Sequence, residues 1–216
     1  MLNSFDLLGI IIDAAQKAYV RPLLDKLAAY DRESYIHSIY VAVLSVQIGA
    51  EYGLSENRLK FIAQGALLHN VGNIFIPLEI LHKPDELTEE EYEIIKSHPV
   101  RSYELAKSCG VPKIPLMVCL MHHFHIDGSG YPSEFPYGID SMRIPTEAQI
   151  VTTADIFAAI ISPRTYRGSK QYVYAIGEMY RCVAAGKLDV RFVKVLEELV
   201  VENRLLLNTG LTGPIV

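Results

Sequence analysis

LKFIAQGALLHNVGNIFIP, residues 59–77, is the stretch on which the reading of this chain turns. Leu59, Ile62, Ala63 and Ala66 recur at helix spacing, and Gly72 follows as a stop. The same period runs outward on both sides. Ile36, Ile39, Val43 and the run Val46 to Ile48 repeat it upstream. Downstream, Thr88 and Glu91 form a capping box that opens a helix from Glu89 to Lys96. Pro99 then fits the first turn of the next helix. Residues 114–121 are apolar on nearly every side, as in a buried helix. Residues 127–145, rich in Gly, Pro and Ser, form a long loop of the kind that often carries function. Helices follow over 147–161, 172–185 and 190–207. No run of strands emerges, and the predicted class is all-α.

The 216 residues suit one compact domain, divided here into an N-terminal helical extension (1–30) and a helical domain (31–216). Residues 1–12 are apolar but carry Asp6, lack a basic leader and are too short to span a bilayer. They read as a packing helix left from a signalling helix upstream. No membrane insertion is expected. A net charge of -5 argues against direct DNA or RNA binding. A small anionic ligand stays open, because a local metal outweighs net charge. Cys109, Cys119 and Cys182 form no CxxC pair, which fits a reducing cytoplasm, and each reads as a small core residue.

Seven histidines stand out. His37, His69, His98, His122 and His123 fall at helix ends or inside apolar helices, while His82 and His125 have loop-like surroundings. One such histidine is ordinarily a satisfied core residue. Five together point to a transition metal, since imidazole is its commonest protein ligand. Asp155 lies in the apolar run IVTTADIFAA, 150–159, where an unpaired carboxylate is costly. It is a cap, a partner of an arginine such as Arg164, or a metal ligand. Glu33 shares a helix face with His37, although a solvated charge is the simpler reading. Many imidazoles and few carboxylates suit one or two divalent ions, iron, manganese, nickel or zinc, in a hydrolytic centre.

In order along the chain, His37-Ser38, LLHNVGNIFIP (67–77), ILHKP (80–84), LTEEE (87–91), HHFHIDGSGYP (122–132) and RTYR (164–167) resemble the HD-GYP branch of the HD superfamily. The resemblance spans roughly residues 31–200. It implies a helical bundle around a metal site and hydrolysis of cyclic dinucleotides, chiefly cyclic-di-GMP. By matching position, His37, His69 and Asp155 would hold one metal, and His98, His122 and His123 the other. Glu33 matches a further metal-binding position. Gly130, Tyr131, Pro132, Asp127 and Arg164 would border the dinucleotide. For Tyr131, packing of the loop is the competing role.

The chain departs from the family pattern at Asn70, the family's metal-bridging Asp, and at Asn73, its Lys. Phe124, Ala158 and Tyr40 depart as well. An amide offers one neutral oxygen where a carboxylate offers two anionic ones. The expected function is a metal-dependent cyclic-di-GMP phosphodiesterase of reduced activity. The alternative is a degenerate domain that senses a nucleotide or contacts a signalling protein such as a diguanylate cyclase. A homodimer is compatible with either.

Overall fold

The computed structural model describes residues 2–139, 143–161 and 169–209. The described residues form helices and no named strand, in agreement with the all-α expectation. The order is α1 (Ser4–Ala15), α2 (Arg21–Tyr30), α3 (Arg32–Glu51), α4 (Glu56–Leu68), α5 (Leu78–Leu81), α6 (Glu89–Lys96), α7 (His98–Ser108), α8 (Lys113–Met121), α9 (Thr146–Ile161), α10 (Ser169–Ala184) and α11 (Val190–Val201). None of these helices is long and apolar enough to cross a membrane.

The core is built around α3 and α4. α3 buries Val41 to Gly49 without a break, so it is apolar nearly all round and sits in the centre, with α4 and α9 against it. α4 buries Ile62 to Leu68 and takes α8 on its far side. Gly65 permits that approach: a Cβ there would lie 2.6 Å from Val118 Cβ. One turn beyond this contact on each helix stand His69 and His122, with ring centroids 4.8 Å apart. The small residue thus sets the spacing that brings two candidate ligands together.

α1 and α2 pack on the same core through Leu7, Ile10, Ile11, Leu23, Leu24 and Leu27. The Thr88 capping box is present with both halves, Glu91 N to Thr88 Oγ1 and Thr88 N to the Glu91 carboxylate. Pro99 lies in the first turn of α7, as expected.

Three readings need correction. α4 ends at Leu68, before Gly72, which falls in a 3-10 turn (Val71–Phe75) and donates its N–H to Ser102 Oγ at 2.8 Å on α7. α11 stops at Val201, where Asn203 takes a left-handed φ of 53° and Arg204 N–H closes on Leu199 O. The chain then returns to α3, because Gln47 holds Arg204 O and Leu206 N–H. Cys109 is exposed at the end of α7 and is no core residue, whereas Cys119 is buried.

Candidate metal centre

Three of the five histidines end or follow a helix, where carbonyls lack intrahelical partners. His69 caps α4 and its Nδ1 lies 2.6 Å from Ala66 O. His122 caps α8, with Nδ1 2.9 Å from Cys119 O. His98 opens α7 directly after α6, with Nδ1 2.8 Å from Ile95 O. A carbonyl only accepts, so each Nδ1 carries the proton and each Nε2 keeps its lone pair. The backbone therefore sets the tautomer, as outer partners do for metal-bound histidines.

The ligand atoms converge. His98, His122 and His123 bring one ligand atom each within 4.8 Å of the others, and so do His37, His69 and Asp155. His98 Nε2 and His122 Nε2 are 3.0 Å apart. With both Nδ1 atoms protonated, no hydrogen joins them. His69 Nε2 is buried and has no hydrogen-bond partner. Facing lone pairs and an orphaned buried acceptor are costly unless a cation lies among them. The donor set fits a divalent transition metal.

Asp155 lies in the middle of α9, so it is not a helix cap, and it is 7% exposed. Its Oδ1 is 2.7 Å from His37 Nε2 and 3.6 Å from His69 Nε2. Its Oδ2 is 4.0 Å from His123 Nε2. Burial works to raise its pKa, but the His37 and His69 contacts outweigh burial and hold the carboxyl well below the usual range. Burial, reinforced by the charge of His123, lowers His98 to about 3. Burial also lowers His123 to about 4, against the pull of Asp155, and takes His122 in the same direction. Neutral imidazoles beside an ionised carboxylate are the protonation states that bind metal.

The remaining candidates divide. Glu33 lies outside both triads; its side chain is 68% exposed and stands 3.7 Å from His82 Nδ1. His82 Nε2 also lies 3.1 Å from Asp31, the cap of α3. Asn70 is half-buried at the turn between α4 and the 3-10 segment, next to His69. Asn73 is buried and donates Nδ2–H to Ser34 Oγ at 3.0 Å, so it supplies no charge. Phe124 turns into the core against Phe135, with centroids 4.9 Å apart.

The Gly-Tyr-Pro loop adjoins the histidines. Gly130 has φ +93°, and a Cβ there would lie 2.1 Å from His123 O, so only glycine fits. Tyr131 N–H donates to that same carbonyl, and the Tyr131 ring lies 4.6 Å from the His123 ring. Gly130, Tyr131 and Pro132 line a cleft of about 340 Å³ with Glu93, Lys96, Ser97, Ser133 and Glu134. Tyr131 packs the loop on His123 and also walls this cleft. Asp127 is exposed and accepts from Ser129 N–H and Oγ–H, which shapes the loop. Arg164 lies outside the described residues. The cleft residues Lys96 and Glu134 escaped the sequence reading, since neither sits in a motif that the resemblance marks.

The HD domain family matches residues 18–191. A cyclic di-GMP phosphodiesterase of Borreliella burgdorferi is 36% identical over 74% of this chain and 41% of its own length. A 3'3'-cGAMP-specific phosphodiesterase of Vibrio cholerae is 34% identical over 76% of this chain and 37% of its own. The chain thus spans about two fifths of the length of these relatives. Among solved structures, the HD domain of a Listeria monocytogenes phosphodiesterase in complex with cyclic-di-AMP superposes with a TM-score of 0.67 at 20% identity, over 90% of this chain and 99% of that one. An HDG"Y"P protein from Bdellovibrio bacteriovorus gives 0.64 at 17%, over 90% and 70%. At such identities the likeness concerns the fold.

Proposed function

The chain belongs to the HD domain family, and from that premise we propose that it is a metal-dependent phosphodiesterase acting on a cyclic dinucleotide, cyclic-di-GMP first, with reduced activity. The observation that carries this reading is the pair of triads, with imidazole lone pairs 3.0 Å apart and an orphaned His69 Nε2. His37, His69 and Asp155 would hold one divalent ion, and His98, His122 and His123 a second. Bound there, iron, manganese, nickel or zinc would supply Lewis acidity and an activated water at neutral pH.

The protein's own share is positioning. The Ala66, Ile95 and Cys119 carbonyls hold the Nδ1 side of three imidazoles and so aim their Nε2 atoms inward. Tyr131 offers an aromatic wall beside the triads on which a base can stack, as bases do on aromatic side chains elsewhere. Asn73, tied to Ser34, offers no cation to the charge that builds on phosphorus. That loss supports reduced turnover. It also favours a second reading, in which the domain keeps metals and nucleotide but serves as a sensor, with a signalling protein or a second copy as partner. A cytoplasmic setting fits either reading.

Anaerobic incubation of manganese- or iron-loaded protein with cyclic-di-GMP, followed by chromatography, tests the proposal. Linear product that vanishes with chelator supports the enzyme. Tight nucleotide binding with full metal and no product selects the sensor.

A further inference from the structure

Two divalent cations held side by side repel, and a carboxylate that gives one oxygen to each offsets the repulsion. Asn70 stands where the resemblance expects that carboxylate, and an amide has one neutral oxygen to give. Glu33, which matches a further metal-binding position, is largely exposed and stands beside His82. Among the described residues, Asp155 is the one acid in the two triads.

Its two oxygens already face different triads. Oδ1 lies 2.7 Å from His37 Nε2 and 3.6 Å from His69 Nε2, within the first triad. Oδ2 lies 4.0 Å from His123 Nε2, a member of the second. Two ligands of one ion at roughly 2.1 Å each can be no more than about 4.2 Å apart. All three distances meet that limit. His69 and His122, one from each triad, stand with rings 4.8 Å apart, so the triads adjoin.

We propose that Asp155 is the bridging carboxylate of this chain, giving Oδ1 to the ion of His37 and His69 and Oδ2 to the ion of His98, His122 and His123. The role left vacant at Asn70 passes to a residue of α9. This inference rests on the metal-centre reading above and extends it. Asp155 acts as a positioning residue for both ions. A consequence separates it from an ordinary ligand: its loss is felt at both sites, whereas loss of His37 is felt at one.

The test measures manganese per chain by elemental analysis on the full chain, with electron paramagnetic resonance as a second readout. The starting protein is expected to hold two ions whose spectrum shows coupling through a shared ligand. Asp155→Asn, close to isosteric, should drop to less than half an ion per chain. His37→Ala should keep about one, uncoupled. The double variant Asn70→Asp with Asp155→Asn should regain ions relative to Asp155→Asn alone, by restoring a bridge from the other side. Circular dichroism spectra that match the starting protein exclude misfolding. Should Asp155→Asn keep one ion as His37→Ala does, the bridge is refuted while the metal centre stands. Should the starting protein itself take up no manganese, iron or zinc, both fall.

Discussion

Acidifying the metal-free chain should destabilise it steeply, and the site accounts for the size of the effect. His98 and His123 are held to about 3 and about 4, chiefly by burial, against an ordinary value of 6.5. Between the folded and unfolded values the unfolded chain binds protons that the folded chain refuses, so stability is present above 6.5 and is lost as pH falls below it. Each such group costs about 1.4 kcal/mol per pH unit once the pH is well below 6.5. From pH 7 to pH 5.5 the integrated loss is about 1.2 kcal/mol per histidine, or about 2.5 kcal/mol for the two. His122 and the half-buried His125 act in the same direction. For a domain of this size about 2.5 kcal/mol corresponds to a Tm lower by about 5–10 °C. Calorimetry of chelator-treated protein at the two pH values measures the drop. His98→Gln should recover about 1 kcal/mol of it, as one titrating group is removed. A Tm that moves by less than about 2 °C would refute the argument that these imidazoles are held neutral.

Two further outcomes follow from packing and charge. Gly65→Ala inserts a methyl where Val118 Cβ is 2.6 Å away, so α4 and α8 must separate; urea denaturation should register a loss of about 1–3 kcal/mol, and metal titration should register weaker uptake as His69 leaves His122. Asn70→Asp returns an anionic oxygen pair next to His69 and should raise kcat/KM on cyclic-di-GMP by about 10- to 100-fold at equal metal content; an unchanged rate at full occupancy would move the defect to Phe124 or Asn73.

Much of the bundle was legible because its helices are strongly patterned and well punctuated. The α6 capping box and the proline of α7 are local signals, the first read from a span of four residues and the second from Pro99 alone. His69 and His122 were legible for another reason: each ends an apolar run, and a helix end buried in a core needs a side chain to serve its last carbonyls. What the pattern could not carry was tertiary. Gly72 resembled a stop until the approach of Ser102 explained it. The end of α11 was overrun because Gln47, more than 150 residues away in sequence, captures the chain after Val201. Asp155 could be read as a cap, an arginine partner or a ligand, and contact with His37 from α3 supplied the information that its own helix lacked. The burial of Asn73 on Ser34 likewise depends on two segments 39 residues apart.

The most direct test of the metal centre is anomalous X-ray diffraction from crystals of the manganese-loaded chain. At least one strong peak is expected at roughly 2.0–2.3 Å from the Nε2 atoms of His98 and His122, or from those of His37 and His69 together with an Asp155 oxygen. Crystals grown with excess manganese that show no anomalous peak within reach of either triad would contradict it.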